Sequence, residues 1–171
     1  MRLETARLYL YPLSARHLLQ AQTDIAAVCK SLGMRMDSSF GFFETLRKRK
    51  VYNAKLSILD LHPKAWLLTT AWYMQERSTS LMVGEVGFKG PPSYEEIEIG
   101  YSTKEFARGR GYMTEAVAAL CQMAAAQPEY EVKTVLARTL PGNWASQRVL
   151  VKNGFIQAET GDRYLRWRKE L

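Results

Sequence analysis

The sequence predicts an α/β fold, an α+β domain with a mixed, mostly antiparallel sheet flanked by about four helices. Its 171 residues favour one domain, residues 1–171, with a sizeable core. Strand-like segments come in runs, and helix-like segments with cap signals fall between some of those runs. The predicted element order is β-α-α-β-β-β-α-β-α-β-β.

The N-terminal third is predicted to hold a strand and two helices. Residues 7–13 alternate in polarity as a half-buried strand does. Ser14 follows at an N-cap position, ahead of a helix over 15–30. Apolar residues at helical spacing then predict a second helix over 38–59.

Three strands are predicted next. Residues 67–75 are apolar and aromatic, and the polar turn at 76–80 separates them from a second strand at 81–89, which predicts an antiparallel hairpin. Residues 95–101 alternate strictly, so their acidic side chains share one face.

The C-terminal part alternates helices and strands. Apolar residues on one stripe predict a helix over 111–126, and the turn at 141–143 opens another helix that runs to about Lys152. Asn153 and Gly154 suit a helix C-terminus that needs a left-handed residue. The remaining predicted strands are 133–138, 155–160 and 164–169.

Composition narrows the class of protein. The formal net charge is +7, which suits an anionic partner such as nucleic acid, a phosphorylated cofactor or an acidic membrane. No window has the apolar length of a membrane span, and the N-terminal residues lack the pattern of a secretory signal. We therefore expect a cytoplasmic protein that does not bind a membrane.

The cysteines and histidines do not predict a site. Cys29 and Cys121 are too few for a disulfide framework and are expected to be buried, reduced thiols. His17 and His62 have no ligand spacing with them, so no metal is expected.

The segment 107–116, ARGRGYMTEA, predicts an anion site. Gly109 and Gly111 precede a helix whose first N–H groups lack intrahelical acceptors and whose dipole adds partial positive charge. Glycine lets an anion approach the backbone closely, and Arg108 and Arg110 add positive charge. The junction is typical of a phosphate or pyrophosphate cradle, although an ordinary Gly-rich turn has the same pattern.

Other anion-binding motifs fit less well. There is no G-x-x-x-x-G-K-[ST] sequence, which excludes a P-loop. Met113 and Thr114 follow Gly111, so the three-glycine dinucleotide fingerprint is missing. Disordered Arg-Gly segments that bind nucleic acid are repeated, whereas this one occurs once and leads into an amphipathic helix.

Residues 108–113, RGRGYM, resemble the [Q/R]-x-x-G-x-[G/A] coenzyme A motif of the GNAT (Gcn5-related) N-acetyltransferases. With Thr114, Glu115 and Ala116 they are similar to the branch of Rim-like ribosomal-protein N-terminal acetyltransferases. Met113 departs from the family's usual Gly or Ala. Further segments agree with that branch in order: 4–8 (ETARL), 83–88 (VGEVGF), 98–101 (EIGY), 143–146 (NWAS), 149–150 (VL) and 153–155 (NGF).

The resemblance implies a GNAT-like fold whose sheet splays between its fourth and fifth strands, and direct transfer of acetyl from acetyl-CoA to a primary amine. It is weakest over residues 30–80, where the acceptor pocket is expected. The residues implied to bind coenzyme A are Tyr101, Ser102 and Thr103 along the pantetheine arm, Arg108, Gly109, Arg110, Gly111, Tyr112 and Met113 at the pyrophosphate, Asn143 at the pantetheine amides, and Ser146 at the departing sulfur.

Two residues are the catalytic candidates. Ser146 lies one helical turn after Asn143, on the same face, and would stabilise the leaving thiolate, although Asn143 also suits a plain N-cap. Glu98 is the first candidate for the general base. Glu96 on the same face and Glu85 on the preceding strand are alternatives, and a solvated acidic stripe with basic cross-strand partners explains all three equally well.

The acceptor amine is left open. A peptide α-amine has a pKa of about 7.7–8.0 and a lysine amine one of about 10.4, so an α-amine needs less help from a base. This favours a protein N-terminus over lysine. A small-molecule amine such as an antibiotic or polyamine, a non-catalytic acyl-CoA sensor, and a basic ribosome- or RNA-associated protein are the alternatives, and both a monomer and a homodimer are compatible with the sequence. Aromatic residues expected in the core or around the acceptor are Phe42, Phe43, Trp66, Trp72 and Tyr73.

Overall fold

The structure, a computed structural model, describes residues 1–37 and 42–171, and of residues 42–47 it describes the backbone alone. The predicted aromatic residues Phe42 and Phe43 therefore lie outside the described side chains. The strands are β1 (Leu3–Glu4), β2 (Leu8–Pro12), β3 (Ala71–Glu76), β4 (Met82–Phe88), β5 (Glu96–Thr103), β6 (Thr134–Thr139), β7 (Ile156–Thr160) and β8 (Leu165–Glu170). The helices are α1 (Ala15–Ala21), α2 (Ile25–Ser31), α3 (Phe42–Leu61), α4 (Trp66–Thr69), α5 (Tyr112–Ala125) and α6 (Trp144–Lys152).

The strands form one sheet in the order β1-β2-β3-β4-β5-β6-β8-β7. Neighbours pair antiparallel except β5 and β6, which are parallel and are joined through α5, as a parallel pair requires a crossover. Their pairing runs only from Glu96 opposite Thr134 to Glu98 opposite Leu136, while β5 continues to Thr103. The two strands therefore separate after Glu98, which confirms the predicted splay.

Two apolar cores lie on opposite faces of the sheet, because successive side chains of a strand point to opposite faces. Trp72 and Tyr73 on β3 show this division, since both are fully buried but in different cores. Trp72 belongs to the core that includes α5, and Tyr73 to the core that includes α1, α2 and α3. Both aromatic residues are thus core residues, and Trp66 packs partly buried against the second core.

The predicted strand at 67–75 is wrong at its start, because Trp66–Thr69 is the short helix α4 and the strand begins at Ala71. Pro63 begins a 3₁₀ turn that leads directly into α4. A short apolar run has no periodicity that separates a helical turn from a buried strand, so the local sequence was ambiguous there.

The predicted helix over 15–30 is also divided in the structure, into α1 and α2. The Asp24 side chain accepts a hydrogen bond from the Ala27 N–H at 2.9 Å and caps α2. Asp competes well for helix N-caps, so it starts a second helix where apolar spacing alone would continue the first.

Lys55 holds α3 over the sheet. Its Nζ donates to the carbonyl oxygens of Thr69, Thr70 and Phe88 at 2.9, 3.1 and 2.8 Å. Burial lowers the pKa of Lys55 to about 8. This buried cation fixes the distance between α3 and β4, and a cavity lies between them. Among the described residues, no helix combines the length and apolarity needed to cross a membrane.

Candidate functional site

A groove of about 620 Å³ opens where β5 leaves β6; we refer to it as the splay groove. One wall is the end of β5, and the others are the segment before α5, the first turn of α5 and one side of α6 along its length. Its lining residues are Tyr101, Ser102, Thr103, Ala107, Arg108, Gly109, Gly111, Tyr112, Met113, Thr114, Asn143, Ala145, Ser146, Arg148, Val149 and Lys152. The sequence-predicted coenzyme A residues, Arg110 excepted, therefore lie around one groove.

Two glycines shape the end of the groove at the N-terminus of α5. Gly109 and Gly111 have φ values of +75° and +80°, a left-handed conformation that favours glycine. Gly111 is the N-cap of α5 and supplies no capping side chain. No N-cap side chain therefore accepts from the N–H groups of the first helical turn, and together with the helix dipole these groups form a site for an anion.

The two arginines of this segment differ in direction. Arg108 lines the splay groove, and within the described part of the chain it makes no ion pair. The Arg110 side chain is outside the lining and lies instead beside the Tyr112 hydroxyl and Glu76. Of the predicted auxiliary charges, the structure brings only that of Arg108 into the groove.

Met113 is buried, and it belongs to the core packed around α5. Because its side chain packs in the core, the group that Met113 can offer to an anion is its backbone N–H at the start of α5. The departure from Gly or Ala is therefore accommodated by packing.

The N-terminal segment holds the cradle in place. Arg7 donates from Nη1 to the Arg110 carbonyl oxygen at 2.9 Å and from Nε to Glu115 Oε2, also at 2.9 Å. The Arg7 N–H and the Thr5 hydroxyl donate to the other oxygen of Glu115. Burial would raise the pKa of Glu115, but these hydrogen bonds outweigh it and the pKa is lowered. Sequence reasoning matched both segments to a family but did not join them, because they are more than a hundred residues apart.

Asn143 and Ser146 lie at the start of α6. Asn143 caps the helix, its Oδ1 accepting from the Ser146 N–H at 3.1 Å. The cap uses the amide oxygen and leaves the Asn143 NH₂ group as a donor. The N-cap interpretation is therefore correct, and it still leaves a group for a ligand.

Ser146 also contacts β5 across the splay. The Tyr101 hydroxyl donates to the Ser146 carbonyl oxygen at 3.2 Å, and its oxygen lies 2.9 Å from Ser146 Oγ, where either hydroxyl can be the donor. Burial raises the pKa of Tyr101 to about 12, so the phenol stays protonated at neutral pH. When Tyr101 donates to Ser146 Oγ, the serine proton is free for another acceptor.

A second cavity, of about 300 Å³, lies between α3 and the sheet; we refer to it as the α3 cavity. Its lining residues are Lys48, Val51, Ala54, Lys55, Ile58, Glu85, Val86, Gly87, Phe88, Lys89, Gly100, Tyr101 and Ser102. Tyr101 and Ser102 line both this cavity and the splay groove. The two spaces therefore adjoin along β5.

Glu85 is the one carboxylate among the described residues that line the α3 cavity, and it is only 8% exposed. The Tyr52 hydroxyl donates to its Oε2 at 2.8 Å, and Lys48 Nζ lies 3.4 Å from the same oxygen. Burial raises the pKa of Tyr52, which remains a donor. Glu85 is also paired in register with Ser102 on β5, so it lies beside the junction of the two cavities.

Glu98, the first candidate for the base, is bound by two cations. Arg138 donates to both of its oxygens at 2.9 Å, and Lys89 binds Oε1. Burial would raise the pKa of Glu98, but the hydrogen bonds from Arg138 and Lys89 outweigh it and the pKa is lowered. Neither Glu98 nor the exposed Glu96 lines either cavity. This geometry argues against Glu98 as the base, because its carboxylate is bound by two cations outside both cavities.

The thiols take no part in either cavity. Cys29 and Cys121 are both buried, and burial raises the pKa of the first to about 12 and of the second to about 11. Such thiols are protonated and unreactive at neutral pH. Within the described residues, no group of His, Cys, Asp and Glu side chains has the arrangement of a metal site.

Comparison with known proteins gives a family. A profile described as an acetyltransferase (GNAT) domain matches residues 7–156. The uncharacterized N-acetyltransferase YjdG of Bacillus subtilis is 28% identical over 169 residues, which is 96% of this chain and 95% of that protein.

Solved structures share the fold. The ribosomal-protein-S5-alanine acetyltransferase of Vibrio fischeri has a TM-score of 0.66 at 15% identity, over 99% of this chain and 96% of its own. RimL, a ribosomal L7/L12 α-N-protein acetyltransferase in complex with coenzyme A, has a TM-score of 0.67 at 19% identity, over 100% of this chain and 98% of its own.

Proposed function

The chain belongs to the GNAT acetyltransferase family, and on that premise we propose that it transfers acetyl from acetyl-CoA to a protein N-terminal α-amine. The observation that carries the proposal is the junction of two cavities at Tyr101 and Ser102. One cavity ends in an anion cradle, and the other holds a buried carboxylate. A phosphorylated donor and an amine acceptor would meet between them.

The splay groove fits coenzyme A. Its cradle has open space where a Cβ on Gly109 would lie, so an anion can approach the backbone there. Arg108 adds positive charge, and the Asn143 NH₂ group remains a donor for an amide oxygen. When bound, acetyl-CoA supplies the activated acetyl thioester.

Ser146 and Tyr101 would stabilise the leaving group. A serine hydroxyl is a weak acid by itself, and it becomes a stronger donor when the Tyr101 phenol donates to its Oγ rather than to the Ser146 carbonyl oxygen. The pair would therefore hold a hydrogen bond toward the developing thiolate. This hydrogen bond would stabilise the thiolate most in a partly buried position, because little water competes for the same sulfur.

Glu85 would accept the proton of the amine. It lies at the junction of the cavities, whereas the Glu98 carboxylate is held by Lys89 and Arg138 outside them. An α-amine with a pKa of about 7.7–8.0 is already partly neutral near pH 7.4, so a modest base is sufficient. This supports an α-amine over a lysine as the acceptor. The Rim-like proteins that share the fold carry names that point the same way.

The test is release of free thiol from acetyl-CoA in the presence of a panel of amines: peptides with free N-termini, N-blocked peptides containing lysine, polyamines and aminoglycosides. We expect turnover with free N-termini and little with blocked lysine peptides. Turnover with lysine or polyamine acceptors alone would remove the α-amine assignment. Binding of coenzyme A without turnover of any amine would favour a non-catalytic sensor.

A pair of carboxamide variants tests the base. Glu85→Gln should lower kcat by about 10²–10⁴-fold, the usual contribution of a general base. Glu98→Gln makes the same chemical change outside both cavities and should retain much more of the rate. A larger loss in Glu98→Gln than in Glu85→Gln would reverse the assignment.

A further inference from the structure

The α3 cavity has apolar walls and a positively charged edge. Val51, Ala54 and Ile58 of α3 face a floor that includes Gly87 and Gly100. Neither floor position can carry a side chain without a shift of its neighbours, because a Cβ on Gly87 would approach the Thr70 carbonyl oxygen to 2.7 Å, and one on Gly100 would lie 3.2 Å from Lys89 Cε. An uncharged group of modest size fits this space.

The charges in and beside the cavity do not cancel. Among the described residues that line the cavity or pair with its lining, the cations are Lys48, Lys55, Lys89 and Arg138, and the carboxylates are Glu85 and Glu98. Lys55 contributes although its pKa is lowered to about 8, because most of it is protonated near pH 7. These four cations and two carboxylates of the described residues together carry a net charge of +2.

Two of these cations have N–H groups that Glu98 does not use. Arg138 uses Nε and Nη2 on Glu98, and Lys89 uses one of its three N–H groups on the same carboxylate. Both side chains are about half exposed, at 48% each. They can therefore bind a second anionic group without releasing Glu98.

We infer that the acceptor is an amine attached to an apolar group, with an anionic group further along the molecule. The inference rests on the proposed function, since it names the acceptor class of the same site. The apolar group would fill the α3 cavity, and the anionic group would reach Lys89 and Arg138. A polycation would bring like charges against a site of net +2. Polyamines and aminoglycosides are thereby disfavoured, and acidic peptides and amino acids are favoured.

The experiment compares three tetrapeptides with free N-termini and amidated C-termini. All begin with Leu-Ala, and they continue with Glu-Glu, Gln-Gln or Lys-Lys. We expect kcat/KM to fall in that order, by about tenfold between the first and the last, which corresponds to about 1.4 kcal/mol. The difference should shrink as salt is raised toward 1 M, where screening acts within about 3 Å. Leucine compared with leucinamide shows whether a free amino acid satisfies the same requirement.

Lys89→Gln should remove much of the preference for Glu-Glu. Lys50→Gln is the matched control, because it makes the same change of net charge at an exposed position of α3 outside the cavity. An equal rate for the three peptides, or a preference for Lys-Lys, would overturn the inference. So would an equal loss of preference in the two variants.

Peptide binding to the protein saturated with coenzyme A, measured by calorimetry, separates the two proposals. If no amine is acetylated but Glu-Glu peptides bind more tightly than Lys-Lys peptides, the transferase proposal fails and the charge preference stands. If all peptides are acetylated at equal rates and bind equally, the charge preference fails and the transferase proposal stands.

Discussion

Replacing Gly111 by alanine tests the geometry of the cradle. Gly111 has a φ of +80°, and an L-residue in the left-handed region costs about 1–2 kcal/mol. The new Cβ would also lie 3.3 Å from Arg7 Nη2, so the guanidinium must move by a few tenths of an ångström. Arg7 is about half exposed, and loosening its contacts with Glu115 and the Arg110 carbonyl costs roughly another 0.2–1 kcal/mol.

The expected loss of unfolding free energy is therefore about 1–3 kcal/mol. For a chain of this length each kcal/mol lowers Tm by about 2–4 °C, so the fall should be about 2–12 °C. Thermal and urea denaturation measure it. Calorimetry with coenzyme A should show weaker binding, because the Gly111 backbone shapes the N-terminus of α5. Gly111→Glu adds charge and bulk at the same point and should abolish that binding.

Gly109→Ala is the matched control. Its φ of +75° gives similar backbone strain, but no atom lies within 4 Å of the added Cβ. Gly111→Ala should therefore be the more destabilising of the two, and the excess should disappear in an Arg7→Ala background. A Gly111→Ala protein as stable as the wild type, or an excess that persists without Arg7, would refute this account of the cradle.

Three further predictions concern single side chains. Burial lowers the pKa of Lys55 to about 8, so between pH 8 and the unfolded pKa near 10.5 the folded chain binds fewer protons than the unfolded chain. The free energy of unfolding of the wild type, relative to that of Lys55→Met, should therefore rise with pH across this window. Urea denaturation measures it. Tyr101→Phe should lower kcat by about 2–12-fold, since it removes one hydrogen bond to Ser146 worth about 0.5–1.5 kcal/mol. The Kd of coenzyme A should stay nearly unchanged, and a kcat equal to that of wild type would contradict the pairing. The pKa of Glu115 is lowered in the folded protein, so the stability that Glu115 contributes is present above the unfolded pKa of about 4.3 and is lost as pH falls through the folded value. Glu115→Gln should lower the free energy of unfolding by about 1 kcal/mol at pH 7. At low pH the variant and the wild type should be equally stable.

Local patterns predicted much of the fold. The helix expected over 111–126 spans Tyr112–Ala125, because strong apolar periodicity and the glycine before it mark both its face and its start. The strands at 81–89 and 133–138 lie within about one residue of Met82–Phe88 and Thr134–Thr139. The boundaries failed where two local structures were equally compatible with the residues, as at Leu67.

The functional site was likewise predicted only where its cause is local. The anion cradle was predicted because its cause is local: two glycines before a helix determine where unpaired N–H groups lie. The base was assigned to Glu98 because β5 was expected to border the acetyl group. Sequence does not show that Lys89 and Arg138 converge on that carboxylate, since Arg138 is 40 residues away.

The sequence by itself thus indicated most of the helices and strands and the loop that would bind the donor, since each follows from periodicity or from residues adjacent in the chain. The splay of the sheet was expected from the family resemblance. The tertiary structure decided which charges face a ligand. It turned Arg110 away from the splay groove and placed Arg7 behind the cradle. It also brought Glu85 to the junction of the two cavities. Such choices depend on contacts between distant segments, and the direction of a side chain is set by those contacts.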